Sequence, residues 1–559
     1  MSLQPVDFDL LYGAAQWAIV FGSFIVLFLI AATITSVAVA ATSLPKYGLT
    51  SPGKLREVTA TAIVKVFFAT LHGIAEFVSL SPRRVYAIAL LTFKESIRKK
   101  ALLVFVVFAV LFMFASWFMA TPSDRPDMQV RNYVAFVFIA IQFLVLPVVL
   151  ILSCWGIPED IRIRSLHTVV TKPVRRNEVV LGRMLGFASI GTMILLIMST
   201  VGYVWIQRQV SDNVKLFCRV PVYGDVKFVD RLGNPSVDRF GNPSEGINVG
   251  DVDQTRSFIE GGSKAAGIWT FPLNEEADSL KLESRFEAFR TFKGNMNRSL
   301  RVRYVIVNEE KSLRVPLPTF EVDEFGTNES DVSRKLTWID EQTLKESEVD
   351  IYKDLAVATE GTRFGSLVVQ VQCLDRQQYL GVSRGDFFIR LPDRSFTTGY
   401  AKAVTGVWLK ILIIVMASVT ASCFVKLPVA TLLSSSVIIF GQIARGFLDK
   451  LLSGTQTGGG ATESFYRLVT HTNDTAGLPD NLLIDSLKMF DYGLQHLLWM
   501  VKFMIPDLRS FGMSDWVARG FDVPWAGMLL PSLAITAGYI LPCLLLGYVS
   551  LSLRELEAK

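Results

Sequence analysis

Residues 159–183 read EDIRIRSLHTVVTKPVRRNEVVLGR, a basic stretch between apolar runs at 133–155 and 184–206. Each run has the roughly 20 residues an α-helix needs to cross a hydrocarbon core of about 30 Å. Glu159 and Asp160 stand where a short helix would start, favoured by the positive end of its dipole. Ile163, Leu166 and Val170 then recur at spacings of three and four, with Arg162 and Arg164 off that apolar face. Pro173 stops the helix, because it lacks a backbone N–H and restricts the residue before it. Asn177-Glu178 restarts a helix that runs through VVLGRMLG into the next apolar run. Helix–helix connections usually take two to eight residues, whereas 156–183 takes 28. So long a connection is a surface element in its own right. It is either a basic patch for anionic lipid or a docking element for a cytoplasmic partner that moves the attached helices.

Outward from this loop, the 559 residues are 51% apolar with a mean hydropathy of +0.39, too oily for an ordinary soluble protein. Apolar runs of membrane-crossing length fall at 17–40, 101–120, 133–155, 184–206, 402–424, 428–446 and 526–550. The first has no basic leader, follows Asp7 and Asp9, and is too long for a cleaved signal, so it reads as a retained anchor. Segment 41–100 carries ten Lys and Arg, and 156–183 adds Arg162, Arg164, Lys172, Arg175, Arg176 and Arg183. The positive-inside rule therefore puts both in the cytoplasm and 121–132, 207–400 and 447–525 outside. Stretch 59–80 has Lys65, His72 and Glu76 on one helical face and reads as interfacial, with a spanning helix as the alternative.

Region 207–400 holds 26 Lys and Arg against 30 Asp and Glu, so the basic excess belongs to the membrane part and points to cytoplasmic loops, not nucleic acid. Its short alternating runs, such as SLRVRYVIVNEE and SLVVQVQCL, separated by Gly, Asn and Pro, predict an all-β, sandwich-like domain. A tandem octapeptide, VDRLGNPS at 229–236 and VDRFGNPS at 237–244, reads as two successive turns. Cys218 and Cys373 fall near the two ends of this region. If it is extracytoplasmic a disulfide between them is open, and spacing alone does not establish it. The outer segment 447–525 contains LLIDSLKMFDYGLQHLLWMVKFMIP, which reads as an interfacial or re-entrant helix. The fold expected is thus an α-helical polytopic membrane protein of six core spans plus an N-terminal span, with an inserted extracytoplasmic β domain. Its parts are 1–80 (anchor and interfacial segment), 81–206 (core spans 1–3), 207–400 (β domain) and 401–559 (core spans 4–6).

Nothing in the chain spells a local catalytic signature. There is no GxxxxGK[ST], HExxH or GxSxG, and the four histidines and five cysteines make no metal spacing. The expected spans are poor in ionisable residues, with Lys402 and Lys410 at or near the outer end of 402–424, where a lysine snorkels. Energy for transport has to come from another chain. An enzyme is the least favoured class.

The loop resembles that of permease subunits of the ABC transporter type-2 superfamily, in an acidic start, a Ser-Leu, KPV with a following arginine, and an LG entering the next helix. The match runs through Glu159, Ser165, Leu166, Lys172, Pro173, Val174, Arg176, Leu181 and Gly182. Upstream, RRVYAIALLTFKESIRKKALLVFVVF looks like the same family's amphipathic elbow helix, with Arg84, Thr92, Glu95 and Arg98 in place. The resemblance implies that 159–183, with Glu159, Asp160, Arg162, Ile163, Leu166, Lys172, Pro173 and Arg176, is a coupling helix that docks on a separate ATPase subunit. It further implies ATP and Mg bound in that partner and none by this chain, a second permease, and a bacterial cytoplasmic membrane. The 207–400 insertion departs from compact members and leaves room for an extracytoplasmic protein partner. The alternative is a membrane-anchored scaffold or receptor whose β domain binds a partner without transport.

Overall fold

In lipid a chain must satisfy its backbone N–H and C=O groups within each segment, so apolar runs fold as helices. The computed structural model describes residues 14–15, 17–19, 21–22, 72–73, 76, 79–98, 103–118, 126–162, 174–210, 215–237, 246–248, 255–290, 299–323, 326–339, 346–359, 362–376, 378–452, 459–473, 478 and 481–557. Its first helices are α1 (Pro82–Arg98), α2 (Leu103–Phe118), α3 (Pro126–Arg162) and α4 (Arg176–Gln209). After the strands come α5 (Phe396–Phe424), α6 (Leu427–Ile439), α7 (Arg445–Leu452), α8 (Ala461–Thr470), α9 (Leu482–Met504), α10 (Met513–Ala518) and α11 (Leu530–Glu557).

Among the described residues four stretches are long and apolar enough to cross a membrane: Gln129–Arg162, Arg176–Gln209, Phe396–Phe424 and Trp525–Ser552. These coincide with four of the seven expected runs. The runs at 101–120 and 428–446 form shorter apolar helices, Leu103–Phe112 and Leu427–Ile443. Most of 17–40 and of 59–80 lies outside the described residues. The expected helix start at Glu159 is corrected: α3 continues through Pro158 to Arg162, with Ile157 buried, so Glu159 and Asp160 close a long helix instead of opening a short one. The carboxylates then face the negative end of a helix dipole, and each meets an arginine, Glu159 pairing with Arg162 and Asp160 with Arg183. The helix restart foreseen at Asn177 begins at Arg176.

The chain divides into two compact units. One comprises Leu216–Gly399 with Gly520–Asp522, and the other holds the helices. The first is β-sheet-rich. One antiparallel sheet is ordered Phe320–Val322, Leu300–Asn308, Ser366–Cys373, Ala266–Pro272, Asp225–Val229, with Leu313–Pro316 also on Leu300–Asn308. A second is ordered Phe217–Tyr223, Phe387–Ser395, Ser279–Ser284, Asn328–Ser333. Alternation along Ser366–Cys373 and Ala266–Pro272 turns one face of each strand inward. Trp269, Phe271, Phe286, Tyr304 and Phe387 meet there as an aromatic cluster. Each fully buried ring contributes roughly 1.5–3 kcal/mol by burial. The buried Tyr304 hydroxyl keeps a partner by donating to Ser284 Oγ at 2.6 Å.

Two local features carry the sequence reading further. The first octapeptide copy is a turn closed by Asp230, whose carboxylate accepts the N–H groups of Leu232 and Asn234 at 2.8 Å, with Gly233 in the left-handed region at φ +96°. Most of the second copy lies outside the described residues. Cys218 and Cys373 are buried and neither is in a disulfide; one lies on Phe217–Tyr223 and the other ends Ser366–Cys373, strands that belong to different sheets. The disulfide left open by the sequence is therefore not formed.

Residues 520–522, some 300 positions away in sequence, run beside the start of Phe217–Tyr223. Arg219 N–H donates to the Gly520 carbonyl and Asp522 N–H to the Arg219 carbonyl, both at 2.8 Å. The Arg219 guanidinium lies 4.5 Å over the Phe521 ring and also pairs with Glu283. Glu283 is only 2% exposed and is shared with Arg390, which in turn binds Glu329 at 2.7 Å and Asp393 at 2.8 Å. Burial pushes the Glu283 carboxyl above the usual range, and the two guanidiniums offset only part of that. A carboxyl raised in the folded state stabilises below its unfolded pKa, near about 4.3, and loses that contribution as pH rises through the folded value. Glu283→Gln should therefore flatten the acid-range pH dependence of the β unit's stability. Glu283→Ala, which removes the carboxylate that Arg219 and Arg390 share while Arg390 keeps Glu329 and Asp393, should destabilise the β unit by about 1–3 kcal/mol. Urea titrations of the full chain, read by amide protection in Ser279–Ser284, check both.

Candidate functional site

The described flanks of the 159–183 stretch are packed against α1. On α4, glycines stand at 182 and 186, one helical turn apart. A Cβ at Gly182 would lie 2.7 Å from Ile88, and one at Gly186 would lie 2.4 Å from Thr92 and 2.8 Å from the Ala89 carbonyl. Only a missing side chain lets the two helices come this close. The face α1 offers is Val85, Thr92 and Ser96, at spacings of seven and four. Thr92 and Ser96 spend their hydroxyls on the carbonyls of Ile88 and Thr92, at 2.9 and 2.8 Å, so neither polar group is stranded.

Two charge clusters close this seam. In the first, Arg183, 5% exposed, donates to Glu95 at 2.8 Å and to Thr92 Oγ1 at 3.3 Å, and its other terminal nitrogen pairs with Asp160. One guanidinium thus joins the end of α3, the last turns of α1 and the second turn of α4. A planar fork with five donors suits a three-way junction that a lysine would serve poorly. In the second, Glu178 is fully buried in the first turn of α4. Its carboxylate accepts the N–H groups of Ser81 and Arg175, both at 3.0 Å, and pairs with Arg84 at 2.9 Å. A carboxylate there satisfies N-terminal donors and complements the helix dipole. Arg175 reaches back to the Ser79 carbonyl at 2.9 Å, and Asn177 Nδ2 donates to the Gly73 carbonyl at 3.0 Å.

The residues singled out from sequence separate into four groups. Asp160, Arg84, Thr92 and Glu95 are brought together in these clusters. Glu159 and Arg162 form an i, i+3 pair at 2.7 Å with the arginine 75% exposed, an arrangement of little value for stability and available to solvent. Arg98 is exposed in the last turn of α1, and Arg176 lies within hydrogen-bonding reach of Tyr548 on α11. Ile163, Leu166, Lys172 and Pro173 lie outside the described residues. Sequence reasoning missed the hubs themselves, Glu178, Arg183, Gly182 and Gly186. The available signal was a single arginine inside VVLGRMLG beside two glycines at helical spacing.

A second cluster corrects the expectation for the lysines of α5. Lys410 is the middle residue of this 29-residue helix and is 6% exposed, so it does not snorkel to an end. Its ammonium donates to Gln142 Oε1 on α3 at 3.1 Å. Lys402, also buried, donates to the Val523 carbonyl at 2.9 Å and lies over the Trp525 ring. Among the described residues no group of three or more His, Cys, Asp and Glu side chains could hold a metal ion.

Compared with protein-family models, curated proteins and solved structures, the chain has no match. The helices and the sheets define it as a mixed helical and β membrane protein.

If the junction is a unit, its members are energetically coupled. Arg183→Gln and Asp160→Asn should each destabilise the purified protein, and the double variant should fall short of their sum by about 1 kcal/mol or more. Gly186→Val should be at least as damaging as either, because backbone on α1 blocks its relief. Unfolding midpoints in one detergent, compared across the set, check this.

Proposed function

We propose that the chain is the membrane-spanning permease subunit of an ATP-driven, ABC-type exporter of the type-2 kind, energised by a separate ATPase subunit that docks on 159–183. The observation that carries the reading is the Arg183 junction. It ties the helix that enters the loop, the helix that leaves it and the elbow-like α1 into one block, so that a push on the loop reaches α4 as a displacement and not as local bending. Exposed Arg162, paired with the half-buried Glu159, gives the docking half a charged rim, the kind of surface that steers and orients a partner.

In this reading ATP and Mg bind in the partner and this chain carries no cofactor. Two permeases and two ATPases make the working assembly, in a bacterial cytoplasmic membrane. The six core spans are the four long helices with α2 and α6, an N-terminal span precedes them, and the β unit is an extracytoplasmic sandwich that offers its sheets to a protein partner. The tight α1–α4 seam supports an elbow role for α1, since an elbow helix has to move with the span it braces. Residues 159–183 belong to the cytoplasmic side by charge.

The test is co-purification of the chain with an ATPase and measurement of ATP turnover. Arg162→Glu combined with Lys172→Glu should weaken ATPase binding and lower turnover by about tenfold, with the unfolding midpoint unchanged. Binding and turnover left at the wild-type level would refute the docking role. Failure of any ATPase to bind would favour the scaffold or receptor alternative.

A further inference from the structure

Lys410 sits fifteenth of the 29 residues of α5, away from both ends, and is 6% exposed. An ionisable group in such a place is costly and needs a partner. Its hydrogen bond goes to a neutral amide, Gln142 Oε1 on α3, at 3.1 Å. Among the described residues no carboxylate comes within ion-pair distance of it. Asp515 on α10 acts on it through space only, and that carboxylate is exposed, where solvent screens its field.

The rest of the cluster has the same one-sided character. Gln142 gives its oxygen to Lys410 and its Nε2–H to Ser514 Oγ at 3.3 Å. Ser514 is buried on α10, and by accepting from Gln142 it leaves its own hydroxyl proton to donate. An ammonium has three donor hydrogens and Gln142 takes one. Two ammonium hydrogens and one hydroxyl hydrogen are thus set around one amide with no described acceptor. A group of buried donors around a positive charge, without acceptors, is complementary to an anion and to little else. Packing holds the group in place, since a Cβ at Gly406, one turn before Lys410, would lie 2.9 Å from Met513 at the start of α10.

We propose that Lys410, Gln142 and Ser514 form a binding site for an anionic oxygen group, a carboxylate or a phosphate, among the membrane helices. The site stands apart from the ATPase reading, because it rests on the packing of α3, α5 and α10 and uses nothing from 159–183. The ligand donates the negative charge that the protein withholds, and Gln142 orients the two donors on either side of it.

The experiment uses the full chain in a maltoside detergent that has no phosphate. Unfolding midpoints are measured in chloride, then with acetate, inorganic phosphate or phosphatidylglycerol at constant ionic strength. At least one anion should raise the wild-type midpoint, and Lys410→Gln should weaken the apparent affinity by about thirtyfold or more. Gln142→Glu, which places a carboxylate beside the ammonium, should raise the midpoint without added anion and abolish the anion-dependent rise. That variant carries the test if Lys410→Gln does not fold. A response to phosphatidylglycerol alone assigns a lipid headgroup, and a response to acetate or inorganic phosphate assigns a soluble anion. No anion response in the wild type, or a response that survives in both variants, would overturn the proposal.

Discussion

The described helical unit depends on the Arg183 guanidinium more than on any other group. It is buried between Asp160, itself buried, and the partly exposed Glu95, joining three different helices, and removing Asp160 takes away its buried partner. Buried ion pairs are poor contributors to net stability, but half a pair is expensive. Such a pair therefore acts mainly as a selector, admitting the one arrangement of α1, α3 and α4 in which all three charges are met. Gly182 and Gly186 make that arrangement reachable, because the α1 backbone occupies the space where side chains would stand. Glu178 fixes the other end of the seam by taking up N–H groups that a helix start leaves unpaired. Sterics and charge thus specify the same geometry twice.

That geometry accounts for charges at both ends of the 159–183 stretch. Asp160, Glu178 and Arg183 serve the seam, whereas Arg162 is exposed and pairs with the half-buried Glu159. A composition-level view sees one basic loop, and the structure separates charges that hold helices together from an Arg162 that stands exposed beside the seam. Lys410 shows a similar division on a smaller scale. Read as a letter in an apolar run it is a snorkelling lysine, but in the structure it is buried and its ammonium is held by Gln142 on a neighbouring helix.

Much of the architecture was legible from local pattern. Alternation every second residue marked the strands, as in Ser366–Cys373, and runs of about 20 apolar residues marked the four long helices. The turn at Asp230 was legible from Gly-Asn-Pro chemistry. What escaped was everything decided by partners remote in sequence. Asp160 looked like a helix start because an acidic pair is favourable there, and only Arg183, 23 residues on, makes it tolerable at a helix end. Gly520–Asp522 reads as part of an outer loop, yet its backbone completes the edge beside Arg219. Cys218 and Cys373 looked like bridge candidates from position alone, and their assignment to different sheets is a property of topology that spacing does not encode.

The central claim is that α1, the end of α3 and the start of α4 move as one block. Spin labels at Leu91 on α1 and Leu185 on α4, both exposed, would report it through the distance between them. The expected result is a single narrow distance distribution that stays the same in a complex with the proposed ATPase subunit, with and without ATP. A distribution that broadens or shifts with nucleotide would mean that the seam opens during the cycle, and the block would not be the element that transmits force.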